Sequence, residues 1–314
     1  MENIRILDGA VIYQTNFDVD HIKKIRYFNN TFIVIREFNY NSSPTVEILN
    51  KVISDLLDNR GNFDVPITST KSFKIFFSLE NVLVKPDGKL MYHLVELIKK
   101  KTRKNYNSNF ADTEFWILYR SEMMGFFMLR ITKKKKKLDK GELRPELTNL
   151  LCRLSVPREN DVFLDPFCGS GAIPLERSRT ADFKGIFASD RDANLVKELK
   201  NRIKKMKASR VQKSFFIKNL DFFNNTFDDN FFDTIVTDPP WGIYEKVDKN
   251  FYPNFLKNSY RILKPEGKLI LLSAGKEYFT KESITGNFVL ETSFDILVSG
   301  EKSGSLFINK KVTS

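Results

Sequence analysis

From Leu143 onward the chain alternates short apolar runs with helix-length stretches, and that alternation restricts the fold more than any other feature. The runs are Val162-Phe163-Leu164, Gly185-Ile186-Phe187-Ala188-Ser189, Ser214-Phe215-Phe216-Ile217, Thr234-Ile235-Val236 and Lys268-Leu269-Ile270-Leu271-Leu272. Such runs, spaced by helical stretches, predict a parallel sheet with helices on both faces. An amphipathic helix over Leu143–Leu154 leads in through Pro145, with Cys152 among its apolar residues. A hairpin from Phe294–Val298 to Ser305–Ile308 is expected to close the sheet. Sheets of this kind bind ligands at the carboxyl ends of their strands, near the topological switch point.

The residues at those strand ends carry the chemistry. The first strand runs into Asp165-Pro166-Phe167-Cys168-Gly169-Ser170-Gly171, where glycines allow close backbone approach to a ligand. The spacing is neither GxGxxG nor a Walker loop, which argues against nicotinamide and triphosphate sites. The second strand ends at Asp190, whose carboxylate can accept both hydroxyls of a ribose. The third region ends at Asp221-Phe222, a carboxylate for an adenine amine beside a backbone N–H for the ring. After the fourth comes Thr237-Asp238-Pro239-Pro240-Trp241-Gly242. Two prolines stiffen that loop and leave its carbonyls as acceptors only. Asp238 and the Pro239 carbonyl can take the hydrogens of an amino group at the edge of a planar ligand, while Trp241 covers a ring face. One such acid is readily explained as a cap or turn residue; several in register are not.

The first half reads as mixed α+β without a catalytic constellation. Strands are expected at Phe32–Arg36 and Ser72–Ser78, and a hairpin pairs Phe115–Tyr119 with Phe126–Ile131. Helical spacing covers Thr45–Leu57, ended by Asn59-Arg60-Gly61, and Lys89–Lys101. Two basic stretches follow: Lys99, Lys100, Lys101, Arg103 and Lys104 at the end of the second helix, and an unbroken run including Lys133, Lys134 and Lys135. Their functional reading is phosphate contact, salt-sensitive and indifferent to sequence.

Composition narrows the partner. The 314 residues suffice for two domains with real cores, and 51 Lys+Arg against 39 Asp+Glu give a formal charge of +12. That excess favours nucleic acid over a membrane surface. Cys152 and Cys168 lack CxxC spacing and read as reduced thiols. With only His21 and His93 and no Cys/His cluster, no metal is expected. The absence of a signal-like or membrane-spanning run points to a soluble, cytoplasmic chain, expected to be monomeric.

At these residues the sequence resembles the class I S-adenosylmethionine-dependent methyltransferases. Asp238-Pro239-Pro240-Trp241 is like the motif of those that methylate exocyclic nitrogens. With Leu143-Arg144-Pro145 ahead of the Asp165–Gly171 loop, the combination is similar to the THUMP-domain tRNA guanine-N2 methyltransferases. The resemblance implies a Rossmann-like domain with a seven-stranded mixed sheet over 142–314, a basic linker over 133–141, and an α+β THUMP-like RNA-binding region over 1–132. It implies S-adenosylmethionine held by Asp165, Phe167, Cys168, Gly169, Ser170, Gly171, Asp190, Asp221 and Phe222. The acceptor would be a tRNA guanine N2, methylated at Asp238, Pro239, Pro240 and Trp241. Many relatives have tyrosine where this chain has Trp241, so stacking survives but a hydroxyl hydrogen bond does not. Alternatives from the same chemistry are DNA adenine-N6 or protein-glutamine methylation, and from another class a non-catalytic RNA-binding protein.

Overall fold

Aspartate caps at Asp18, Asp87 and Asp192 and a proline at Pro145 set where four of the helices begin. The computed structural model describes residues 2–58, 63–65, 70–132, 142–206, 212–241, 247–274, 276–279, 287–298 and 302–312. The expected linker over 133–141, with Lys133, Lys134 and Lys135, and the expected helix stop at 59–61 lie outside them. The chain divides into two compact units, Met1–Lys136 and Lys137–Ser314.

The first unit holds β1 (Glu2–Leu7), β2 (Ala10–Gln14), the one-turn helix α1 (Val19–Ile22), β3 (Phe32–Asn39), α2 (Val46–Asp58), β4 (Ser72–Leu79), β5 (Val82–Leu83), α3 (Gly88–Thr102), β6 (Asn105–Tyr106), β7 (Thr113–Tyr119) and β8 (Met124–Arg130). Asp87 caps α3 by accepting from the N–H groups of Lys89 and Leu90, and Arg103 ends it in the left-handed region. Strands β3, β8, β7, β4 and β5 form one sheet in that order, with β6 beside β4. Alternate residues Phe73, Ile75 and Phe77 of β4 and Phe115, Ile117 and Tyr119 of β7 pack with Leu49, Val52, Ile53 and Leu56 of α2 and Leu94 and Ile98 of α3. The period-two pattern of the strands thus meets the helical stripes on one face. The β1–β2 hairpin forms a separate two-stranded sheet. It is tied down by Glu122, which accepts from the Asp8 N–H, and by Arg120, which donates to the Asp8 carbonyl.

The second unit holds α4 (Pro145–Leu154), β9 (Val162–Asp165), α5 (Ala172–Thr180), β10 (Gly185–Asp190), α6 (Ala193–Lys204), β11 (Phe215–Asn219), β12 (Phe232–Thr237), α7 (Phe251–Ile262), β13 (Leu263–Ser273), β14 (Phe288–Val298) and β15 (Lys302–Lys311). Helix α4 starts two residues later than its apolar pattern predicts. Arg144 must be extended because it precedes a proline, and its ψ is 137°. The seven strands lie in the order β11-β10-β9-β12-β13-β15-β14. All are parallel except β15, which pairs antiparallel with both β13 and β14. Counted from β9 the order is 3-2-1-4-5-7-6, so the direction of winding reverses between β9 and β12. Strand β9 is buried on both sides, as a central parallel strand must be. Val162 and Leu164 meet Phe255 and Ile262 of α7 on one face, and Phe163 meets Leu151 of α4 and Ile173 of α5 on the other.

Candidate active site

The switch point gathers three carboxylates. Asp165 ends β9 and is 1 % exposed. Its Oδ1 accepts from the Thr237 hydroxyl at 2.8 Å and the Phe167 N–H at 3.3 Å. Burial pushes its carboxyl up to about 8, and the charges of Asp190 and Asp238 add to the rise against those two donors. Asp238 follows β12. It keeps a part-exposed edge, yet the surrounding protein withdraws enough water to push its carboxyl up to about 7. The Trp241 indole N–H, 2.7 Å from Asp238 Oδ1, works in the opposite direction.

The loop after β9 is shaped by backbone ties rather than side chains. Cys168 N–H donates to the Ser189 carbonyl at 2.9 Å, and Gly169 N–H to Asp190 Oδ2 at 2.8 Å. Arg202 of α6 donates to the carbonyl and hydroxyl of Ser170. Gly169 has φ +51° and open space where a Cβ would stand. Gly171 has φ +94°, and a Cβ there would lie 2.2 Å from the Leu199 side chain. Gly171→Ala is therefore expected to cost about 1–2 kcal/mol from the left-handed backbone alone, read as a lower urea midpoint at unchanged slope.

The side chains narrow what several of these residues can offer a ligand. Cys168 turns inward among Leu175, Ala188, Leu199 and Ile203, and burial drives its thiol pKa upward. Its thiol reaches the Gly169 carbonyl at 3.5 Å and no further into the loop. Phe167 packs its ring on Phe222, Phe223, Phe251 and Phe255. Phe222 is 1 % exposed, so its backbone N–H is what it can offer a ligand. Asp190 already accepts from Gly169 and, through Oδ1, from the Asp192 N–H at 2.9 Å. A carboxylate has room for about two more donors. Asp221 is exposed and caps a short 3₁₀ turn through the Phe223 N–H, a role compatible with a ligand contact through its remaining acceptor sites.

The sequence assigns Trp241 a ring face only; the structure adds its edge. The indole N–H engages Asp238, and the ring lies so close to Gly304 of β15 that a Cβ there would come within 2.5 Å of it. Pro239 is buried, and the Pro240 carbonyl accepts from the Tyr252 hydroxyl at 3.2 Å. Tyr252 and Gly304 carry no motif, and Thr237, although it opens the motif run, shows no role until its hydroxyl is seen on Asp165. Gly304 alone leaves a signal, a glycine inside a strand where something approaches closely.

In the first unit the basic stretch divides. Lys104 leaves the candidate phosphate contacts: it is 7 % exposed and donates to the carbonyl and hydroxyl of Thr70. Lys99 pairs with Glu96 at 2.8 Å, and Lys101 donates to the Phe63 carbonyl at 2.8 Å. Lys100 and Arg103 are exposed.

A seven-stranded sheet with this winding defines a Rossmann-like fold. Residues 133–290 match the family model for the RMKL-like methyltransferase domain, half of the chain, and the chain belongs to that family. It is 31 % identical over 152 residues to a Bos taurus protein named tRNA (guanine(6)-N(2))-methyltransferase THUMP3, a match covering 44 % of this chain and 30 % of that one. It is 24 % identical over 300 residues to the Methanocaldococcus jannaschii tRNA (guanine(10)-N2)-dimethyltransferase, covering 85 % and 82 %. The crystal structure of TrmN from Thermus thermophilus shares the fold, with a TM-score of 0.73 at 17 % identity, over 96 % of this chain and 89 % of that one. No described helix is long and apolar enough to cross a membrane.

Proposed function

We propose that this protein transfers a methyl group from S-adenosylmethionine to the exocyclic N2 of a guanosine in tRNA. The observation that carries the proposal is the Asp238-Pro239-Pro240-Trp241 turn directly after β12, one strand from Asp165 at the switch point. The names of the bovine and archaeal relatives, both with a guanine N2 of tRNA as acceptor, support guanine over adenine.

The residues fit the donor. Gly169 presents open backbone, Asp190 has acceptor capacity left for two ribose hydroxyls, and Asp221 with the Phe222 N–H suits the edge of an adenine. The donor contributes an electrophilic methyl on a cationic sulfur, and three clustered carboxylates favour a cation there. Asp238 and the Pro239 carbonyl accept the two amine hydrogens of the base. Guanine's amine lone pair is delocalised into its ring, and these bonds localise it toward the methyl group. Positioning of that kind supplies several kcal/mol of barrier reduction. A base stacked in a helix cannot enter, so it is flipped out against the free surface of Trp241. Lys100 and Arg103 are the exposed cations of the α3 end available to hold phosphates.

The test is labelled S-adenosylmethionine with purified protein and an unmodified tRNA transcript, digested to nucleosides. Label in N2-methylguanosine supports the proposal; transfer to duplex DNA or to a protein substrate instead would refute the acceptor. Asp190→Ala is expected to weaken S-adenosylhomocysteine binding by about 100-fold or more, the loss of two hydrogen bonds to a charged acceptor. Calorimetry reads this directly, and an unchanged affinity removes Asp190 from the ribose site.

A further inference from the structure

Two prolines remove two amide donors from the acceptor loop, and their carbonyls remain to anchor it by accepting. Tyr252, in the first turn of α7, donates its hydroxyl to the Pro240 carbonyl at 3.2 Å. Ser273, the last residue of β13 and fully buried, donates to the Tyr252 hydroxyl at 2.9 Å. The direction follows from chemistry: a carbonyl can only accept, so Tyr252 gives its proton to Pro240 and receives Ser273's. The Tyr252 ring is 5 % exposed and wedged edge-on against Phe251 and Phe279, which leaves its hydroxyl little freedom. The Pro240 carbonyl shares one rigid peptide plane with the Trp241 nitrogen. Trp241 in turn donates its indole N–H to Asp238 Oδ1 at 2.7 Å.

We propose that Tyr252 and Ser273 are positioning residues for the methyl acceptor, acting in series through the Pro240–Trp241 peptide and the Trp241 indole to set the angle at which Asp238 meets the incoming amine. The inference rests on the methyl-transfer reading above and names residues that reading does not use. Neither side chain touches the acceptor. Each fixes the next, from the end of β13 to the carboxylate at the switch point.

A double-mutant cycle on the full chain tests it, with Tyr252→Phe, Ser273→Ala and both together. Each single variant is expected to lower kcat by about fivefold to tenfold, the worth of one hydrogen bond, with KM for the acceptor and affinity for S-adenosylhomocysteine essentially unchanged. Because the Ser273 hydroxyl donates to Tyr252, the double variant's loss should be clearly smaller than the product of the two single losses. A double variant whose loss is the product of the two singles, or a Tyr252→Phe enzyme with wild-type kcat, overturns the series. A readout independent of turnover uses the Trp116→Phe background, where Trp241 is the remaining tryptophan. Iodide quenching of its emission should rise in Tyr252→Phe, and unchanged quenching also overturns the proposal. Wild-type enzyme that methylates DNA and not tRNA would remove the guanine reading alone; the same cycle is then run on DNA.

Discussion

Replacing Asp238 with alanine is expected to lower kcat by about 100- to 1,000-fold, the range found when one preorganised polar partner of a transition state is removed. Binding of S-adenosylhomocysteine should persist, because the groups proposed to hold the donor are those of the loop after β9, Asp190 and Asp221–Phe222. Retained turnover would remove Asp238 from its role. The pH profile makes a sharper demand. The ionised carboxylate is the better acceptor of amine hydrogens, and burial holds this carboxyl up to about 7. Activity should therefore rise with pH through about 7 and level off above it, lost on the acid side as the carboxylate takes up a proton. Asp238→Asn keeps an acceptor oxygen but cannot titrate, so its residual activity should lack that limb. A limb that survives in Asp238→Asn belongs to another group, for which Asp165, held up to about 8, is the neighbour to test.

The catalytic half is legible in sequence because each of its signals is local. Strands β9 and β12 read as strands from unbroken apolar runs, and the acids that end or follow them are placed at the carboxyl ends of the sheet's strands by the runs themselves. What escapes is set by partners far along the chain. Tyr252, Ser273 and Gly304 stand 12, 33 and 64 positions beyond Pro240, and only folding brings them to that loop. Strand ends in the closing region are also hidden: β14 and β15 run well past the apolar cores that reveal them, since a ladder continues through residues such as Thr292 and Asn309. The β1–β2 hairpin leaves Ile4 and Ile6 at 55 % and 80 % exposed, so it lacks the inside–outside alternation that marks a strand. Lys104 misleads for the opposite reason. It stands in a run of cations whose neighbours face solvent, and the left-handed turn at Arg103 is what swings it inward.

Replacing Arg177 with alanine is expected to destabilise the second unit by about 3–5 kcal/mol, the cost of breaking a buried ion pair from one side. Arg177 lies in α5 and is fully buried. Its Nη1 donates to the Ala181 carbonyl at 2.9 Å, and its Nη2 approaches the carbonyls of Arg158 and Asp182 and the carboxylate of Asp161, at 3.2, 3.3 and 3.3 Å. The rings of Phe163 and Phe183 flank the guanidinium at 5.9 and 5.8 Å. One cation thus joins the end of α5 to the turn that launches β9, the strand carrying Asp165. Alanine would leave Asp161, itself 5 % exposed, with a charge and no counterion. Lysine is not a substitute, because a single ammonium cannot span carbonyls on two segments as a planar fork does. Urea unfolding in the Trp116→Phe background, followed by Trp241 emission, isolates the second unit. Adding Asp161→Asn to Arg177→Ala should recover part of the loss, since the orphaned charge disappears with it. If the double variant is no more stable than Arg177→Ala, the carbonyls rather than the ion pair are what the guanidinium holds, and the cost lies in the α5–β9 connection itself.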